Sequence, residues 1–266
     1  MKIFELRCRI FLSVLLALSL ISCASGKLDS MPPENNPTPA NVEQEKRAAI
    51  RLQLAVDYYQ QGQFKVALEE IRQALLVSPN LVDAYSVRAL IFMDLNDKQR
   101  AEDNFLHALK LAPDNSDLAN NYGWFLCQNG KEKESLQYFE KVLKDQSYPT
   151  PVKVLGNAGV CSLRLKDIVN AERYFMLGFR LQPANPSINA NLAKIYLDKG
   201  EYEKAKFYIN VVMKAEIMAA DVLWLALRIE NKLNDQMAVS SLGTQLRRRH
   251  PTSKEYELFQ RGAFNE

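Results

Sequence analysis

Prolines, small residues and large apolar residues recur along this chain with a period of 34 residues. Four prolines mark the period, because they lie one or two periods apart, with two additional residues in one interval. They are Pro79, Pro113, Pro183 and Pro251. A period of this length predicts an array of helical units that stack on one another. With proline at position 32, the six repeats are residues 48–81, 82–115, 116–151, 152–185, 186–219 and 220–253.

Three other positions keep their character from repeat to repeat. Position 8 is alanine or glycine and position 20 is alanine or serine in the first five repeats, while position 24 is isoleucine or phenylalanine. Small residues at positions 8 and 20 allow two antiparallel helices to approach closely, and the larger residue at position 24 fills the space beside them. A short turn is expected at position 15, which is occupied by Gly62, Asn96, Gly130, Lys166, Gly200 and Asn234.

This pattern resembles the tetratricopeptide repeat, in which each unit is a helix A, a short turn and a helix B. The resemblance implies an all-α fold, a right-handed superhelix of six tetratricopeptide repeats that forms an α-solenoid. The sixth repeat departs from the pattern with Leu227, Val239 and Gly243 at positions 8, 20 and 24. It is interpreted as a cap, because the outer face of a terminal repeat meets water, although a damaged repeat would look the same. Residues 254–266 are expected to add a capping helix around Glu255–Gly262.

The first 22 residues have the features of an export signal. Basic residues precede an apolar run, Ile10–Ile21, which as a helix would be about 18 Å long and too short for a hydrocarbon core of about 30 Å. The following Leu20–Cys23 segment resembles the lipobox of bacterial lipoproteins, which implies cleavage before Cys23 and lipidation of its thiol. Ala24, in place of an aspartate, favours a lipid-anchored location on the periplasmic face of the outer membrane. The alternative is an ordinary signal peptide with an incidental cysteine.

Residues 23–47 are expected to be a flexible tether that follows the lipidated cysteine. The segment contains four of the eleven prolines and is otherwise rich in polar residues, so it has too few apolar side chains to form a core. Its prolines are Pro32, Pro33, Pro37 and Pro39. A tether of this composition would hold the repeats near the membrane without fixing their orientation.

Composition and motifs argue against several classes of function. Lys and Arg total 34 against 31 Asp and Glu, a net charge of +3, which disfavours nucleic acid as a partner. The two histidines, His107 and His250, lie far apart and no CxxC pair is present, so no metal site and no cofactor are expected. Glu69 and Glu70 fit a solvated helix face, and Arg247–Arg249 fit a soluble helix end more readily than a lipid or acidic-partner contact. No catalytic motif is present, which predicts a binding scaffold and not an enzyme.

The function is therefore expected to lie on the concave surface, which helix A lines in proteins with this repeat. Positions 9 and 12 are mostly apolar in the first four repeats, and position 9 turns basic in the last two, while asparagines recur at position 6. An asparagine amide can both donate to and accept from an extended peptide backbone. The alternatives are burial of the apolar residues by the superhelix and bonding of the asparagines between helices. The predicted groove residues are Val56, Tyr59, Leu90, Met93, Asn120, Asn121, Trp124, Asn157, Val160 and Asn191.

Two cysteines are expected to form a disulfide between the third and fourth repeats. Cys127 is position 12 of one helix A and Cys161 is position 10 of the next, and successive A helices pack side by side. An exported protein meets an oxidising compartment, where such a pair is usually bridged if the geometry permits. The alternative is a pair of buried free thiols that act as small apolar residues.

The third repeat carries a more specific resemblance. Its segment Asn120–Gly130 reads NNYGWFLCQNG, and Asn157–Cys161 in the fourth repeat reads NAGVC. Both are similar to segments of the type IV pilus biogenesis lipoproteins of the PilF/PilW family, and the lipobox, tether, repeat number and length agree. The resemblance implies a pilotin, which sits on the inner leaflet of the outer membrane and helps the pilus secretin to reach that membrane and assemble as a multimer. The secretin, or an exposed segment of it, is then the expected partner, in addition to outer-membrane lipid through the acyl anchor.

Two other interpretations remain open. One is a periplasmic adaptor lipoprotein of the same repeat class that serves a protease or cell-wall enzymes. The other is a structural subunit of an outer-membrane assembly machine. Neither class is expected to contain the NYGWFLC segment.

Overall fold

The computed structural model describes residues 39–265, with side chains from residue 42 onward. The chain divides into two units, Met1–Gln44 and Glu45–Glu266; of the first, only residues 39–44 are described, and they are helical. The described residues form thirteen α-helices and no strand, as the all-α prediction required. The helices are α1 Pro39–Gln60, α2 Phe64–Val77, α3 Val82–Asp94, α4 Lys98–Leu111, α5 Ser116–Gln128, α6 Glu132–Lys144, α7 Pro151–Arg164, α8 Ile168–Leu181, α9 Pro186–Asp198, α10 Tyr202–Lys214, α11 Ala220–Lys232, α12 Gln236–Arg249 and α13 Lys254–Gln260.

Successive helices pair as the repeat pattern predicts. The odd-numbered helices α1 to α11 are the A helices and the even-numbered helices α2 to α12 are the B helices, and each pair is joined by a turn of a few residues. The residue at position 15 has a positive φ in all six turns, between 57° and 81°. This left-handed conformation ends helix A, and it explains why glycine or asparagine occupies five of the six positions.

Close approach of helices A and B explains the small residues at position 8. In the third and fourth repeats this residue is Gly123 and Gly159, which lie directly against the rings of Phe139 and Phe175 at position 24. A side-chain carbon at Gly159 would come within 2.6 Å of the Phe175 ring. Both rings are fully buried, so the glycines create the space that the larger residues fill.

The first helix begins earlier than the predicted first repeat. Residues 39–47, for which the sequence predicts a flexible tether, form the first turns of α1. Pro39 occupies the first helical position, where its missing N–H and fixed φ are tolerated, and most of the next residues are good helix formers. The tether boundary at residue 47 is corrected accordingly. The predicted signal peptide, Cys23 and the rest of the predicted tether lie outside the described residues.

The C-terminal segment covers the sixth repeat. Gly243 stands at position 24 of that repeat, and the Phe259 ring of α13 occupies the space that a larger residue would fill. The helix ends at Gln260, six residues short of the predicted end of the capping segment, because Gly262 adopts a φ of +67° and turns the chain back. Phe264 then stacks on Trp224 of α11, with ring centroids 5.6 Å apart. The exchange of large and small residues in the sixth repeat thus accommodates α13 as a cap.

Candidate binding groove

Three depressions lie between neighbouring A helices. Helix α3 contacts α5, α5 contacts α7, and α9 contacts α11. Depression 1 has a volume of about 330 Å³ and lies between α3 and α5; depression 2, of about 540 Å³, lies between α5, α7 and α9; depression 3, of about 480 Å³, lies between α9 and α11. Trp124 lines the first and second, and Ser187 lines the second and third. The three depressions therefore form one groove along repeats two to six.

Trp124 is the central side chain of this groove. It is half-buried and packs against the cluster that contains Ala119 and Cys127, while its remaining surface faces depressions 1 and 2. Its neighbours Tyr122 and Phe125 point into the core, where their rings stack with centroids 6.0 Å apart. The rigid packing of α5 on both sides of Trp124 fixes the position of the indole in the groove.

The other apolar residues that were expected to line the groove are partly covered by neighbouring helices. Val56, Tyr59, Leu90, Met93 and Val160 are all half-buried between neighbouring helices. Val160 lines depression 2 and Met93 lines depression 1, whereas the other three line none of the three depressions. The structure thus concentrates the apolar groove on repeats two to four.

Tyr59 connects the first two repeats. Its hydroxyl donates to Asp94 Oδ2 at 2.8 Å. Burial raises the pKa of Tyr59 well above its ordinary value, and the hydrogen bond and the charge of Asp94 add to this effect. This hydroxyl is therefore engaged within the fold.

Of the four predicted groove asparagines, one is buried and three are half-buried. Asn120 is 1% exposed and accepts a hydrogen bond from Asn157 Nδ2 across α5 and α7 at 3.0 Å. The assignment of Asn120 to the groove surface is therefore wrong, because its side chain joins two helices. Asn191 Nδ2 donates to the Ser187 carbonyl of its own helix at 2.8 Å. Asn121, Asn157 and Asn191 are half-buried, and Asn157 and Asn191 line depressions 2 and 3.

A disulfide joins α5 and α7 beneath the groove. Cys127 and Cys161 are bonded, as predicted, with their Cα atoms 5.8 Å apart. Both residues are fully buried. Arg164 adds a second connection, since its guanidinium donates to the Cys127 carbonyl at 3.0 Å and to Gln128 Oε1 at 2.8 Å. Next to Trp124, α5 and α7 are therefore joined by one covalent bond and by the hydrogen bonds of Arg164.

Sequence reasoning missed the polar wall of depression 2. Lys153, Gln182 and Asn185 line it, together with the loop Pro149–Thr150 that precedes α7. This loop follows the two additional residues of the third repeat, which displace the start of α7 from the regular pattern. That irregularity was the available signal, because an insertion in a repeat changes the surface beside it.

The remaining candidates take no part in this groove. Glu69 bonds to Arg72, which lowers the pKa of the Glu69 carboxyl to about 2, and Glu70 pairs with Arg51. His107 is exposed beside Tyr85, and His250 Nε2 contacts the Met218 carbonyl at 2.6 Å. The basic run 247–249 is exposed at the end of α12.

The described residues contain neither a metal-binding cluster nor a membrane-spanning helix. Within 39–265, no group of three or more His, Cys, Asp or Glu side chains is arranged to hold a metal ion. None of the described helices is both long and apolar enough to span a membrane.

Comparison with known proteins agrees with this geometry. Sequence models described as tetratricopeptide repeat match residues 52–116, 104–137 and 186–215. The chain is therefore a tetratricopeptide-repeat protein. PilW, a widely conserved type IV pilus biogenesis factor, is 32% identical to this chain, and its crystal structure superposes with a TM-score of 0.75 over 80% of this chain and 98% of that chain. The chain belongs to the PilF/PilW family of type IV pilus biogenesis proteins with tetratricopeptide repeats.

Two matches to PilF support the same family. The type IV pilus assembly protein PilF of Pseudomonas aeruginosa is 29% identical over 252 residues, which cover 95% of this chain and 98% of the relative. The structure of Pseudomonas aeruginosa PilF has a TM-score of 0.76 and 29% identity, over 83% of this chain and 99% of that chain. The repeat fold and these relatives point to a non-catalytic scaffold that acts in type IV pilus biogenesis.

Proposed function

We propose that this protein is an outer-membrane lipoprotein that acts as the pilotin of the type IV pilus secretin. In this role it binds an exposed segment of the secretin subunit and promotes its localisation and assembly into a multimer. The acyl groups on Cys23 hold the protein on the periplasmic face of the outer membrane. Two acyl chains or more satisfy the general requirement of two membrane signals for stable anchoring.

The single observation that carries this proposal is the position of Trp124. It lies within the NYGWFLC segment that suggested the family, and it borders two depressions of one groove. A half-buried indole on a rigid, cross-linked wall is a suitable anchor for an apolar residue of a partner, because aromatic side chains in desolvated pockets dominate many interfaces. Next to it, Asn157 Nδ2 bonds to Asn120 and Gln182 Oε1 accepts from Asn185, so the Asn157 oxygen and the Gln182 nitrogen are the atoms that can bond to a partner backbone.

The experiment is secretin assembly in a deletion strain that is complemented with wild-type protein or with Trp124→Ala. The deletion strain is expected to contain secretin monomers in place of SDS-resistant rings, and the wild-type gene is expected to restore the rings. A normal amount of rings in the deletion strain would contradict the pilotin function and favour the periplasmic adaptor.

Binding of purified secretin subunits tests the groove itself. Loss of the Trp124 anchor is expected to cost about 2 kcal/mol, so Trp124→Ala should weaken binding about thirtyfold. Phe207→Ala is a matched control, because Phe207 is an aromatic residue that is 56% exposed on the B helix α10. Circular dichroism must show that both variants remain folded. Unchanged affinity of a folded Trp124→Ala variant would remove this residue from the site.

A further inference from the structure

Depression 3 differs in charge from the apolar part of the groove. At position 9, the apolar residues of the first four repeats are replaced by Lys194 on α9 and Arg228 on α11. Both line depression 3, together with the apolar side chains of Ala190, Val222 and Leu225. Two cations thus stand at the same level of neighbouring A helices, above an apolar floor.

Neither cation forms an ion pair with the part of the chain that the structure describes. Lys194 is exposed and has no ion-pair or hydrogen-bond partner among these residues. Arg228 is half-buried, and its Nε donates to the Phe264 carbonyl at 3.0 Å, which is a neutral group. This bond holds the guanidinium in place without compensating its charge.

The C-terminal segment keeps Arg228 in position. Phe264 stacks on Trp224, one turn before Arg228 on α11. Lys232 Nζ, one turn after Arg228, donates to Asn265 Oδ1 at 2.8 Å. Phe264 and Asn265 thus contact α11 on both sides of Arg228, although neither of them lines depression 3.

Two acidic residues, Asp221 and Glu255, also line depression 3. Asp221 precedes Arg228 by seven residues on α11, a distance of about 10 Å along the helix axis. Glu255 contributes a second carboxylate from α13. A carboxylate of a ligand is consequently favoured beside Lys194 and Arg228 and disfavoured beside Asp221 and Glu255.

We infer that depression 3 binds a carboxylate of the partner segment that follows its apolar anchor, with Lys194 and Arg228 as the cationic contacts. This inference rests on the proposed function, since the same groove holds the anchor at Trp124, and the two parts are continuous through Ser187. The partner is an extended segment with an apolar residue and, beyond it, an acidic side chain or a chain terminus. The cations fix the direction of the segment in the groove, because reversal would place its carboxylate away from them.

The test measures binding of purified secretin subunits from the same organism to full-length protein. Lys194→Glu is expected to weaken binding about tenfold or more, because it replaces an attraction by a repulsion, and the effect should shrink at high salt. Lys110→Glu is the matched control, since Lys110 is exposed and free of ion pairs within the described residues but lies on the B helix α4. Lys194 is exposed, so the thermal midpoint should stay unchanged.

The outcomes separate the two proposals. If wild-type protein does not bind secretin, the proposed function fails. If wild-type protein binds and Lys194→Glu binds equally well at low salt, the carboxylate site is refuted while the pilotin function stands. A secretin with a short uncharged extension at its C-terminus distinguishes the sources of the carboxylate: loss of the Lys194 effect assigns it to the chain terminus, and persistence assigns it to a side chain.

Discussion

Two glycines on α7 allow the close-packing explanation of the repeat to be tested quantitatively. Gly156 and Gly159 both lie in the interior of this helix, Pro151–Arg164. A Cβ at Gly156 would meet no atom within 4 Å, whereas a Cβ at Gly159 would lie 2.6–2.8 Å from three atoms of the Phe175 ring. Ordinary contacts between carbon atoms are about 3.5–4.0 Å, so the ring or α7 would have to move by about 1 Å.

The expected magnitudes follow from this geometry. Replacement of a helical glycine by alanine stabilises a helix by about 1 kcal/mol, and this gain is common to both variants. Gly156→Ala should therefore raise the free energy of unfolding by about 1 kcal/mol. Phe175 is 1% exposed and packed on all sides, and overfilling such a site costs about 1–3 kcal/mol. The free energy of unfolding of Gly159→Ala should consequently be lower than that of Gly156→Ala by about 1–3 kcal/mol.

The assay is thermal and denaturant unfolding of both variants beside the wild type. For a protein of this size the difference corresponds to about 2–12 °C between the two midpoints. The double variant Gly159→Ala/Phe175→Leu removes part of the ring, so the two substitutions should couple favourably. Equal midpoints for Gly156→Ala and Gly159→Ala would refute the argument that position 8 is small because the ring at position 24 needs the space.

Two other predictions concern the cysteines. The Cys127–Cys161 bridge spans 34 residues, for which the chain-entropy relation gives a stabilisation of about 4 kcal/mol, so reduction should lower the unfolding midpoint by about 8–16 °C. The double variant Cys127→Ala/Cys161→Ala should be insensitive to reductant, and titration of two free thiols in the denatured, unreduced protein would contradict the bridge. Cys23→Ser should release the protein from the outer-membrane fraction, because it removes the proposed acylation site. Retention of that variant in outer membranes would refute the lipid anchor.

Much of the fold follows from the sequence because each repeat packs its helices A and B through the same positions. The small residue at position 8 and the large residue at position 24 are complementary within one repeat, so their spacing along the chain already specifies the helix pair. The residue at position 15 must adopt a left-handed backbone conformation, and glycine or asparagine at this position, as in Gly62, Asn96 and Gly130, predicts the turn. The disulfide could be predicted for a related reason, since positions 12 and 10 of two A helices that pack side by side lie at nearly the same level.

The candidate site was less predictable, because side-chain direction and burial depend on neighbouring repeats. Asn120 and Asn121 are adjacent in sequence, yet one is buried against α7 and the other is half-buried. The helix turns by about 100° per residue, so the packing angle of the next helix decides which amide becomes a bridge. The sequence pattern alone predicts both as groove residues.

The sequence by itself determined the repeat length, the number of helix pairs, the turns and the cysteine pairing, because these depend on contacts at fixed separations along the chain. Only the tertiary structure decided where the groove is open. The displaced start of α7 shapes depression 2, and Gly262 turns the C-terminal segment onto α11, where Phe264 holds Arg228 beside depression 3. These features arise where the regular repeat is interrupted. There the stacking of neighbouring helices, and not the local sequence pattern, sets which side chains face the groove.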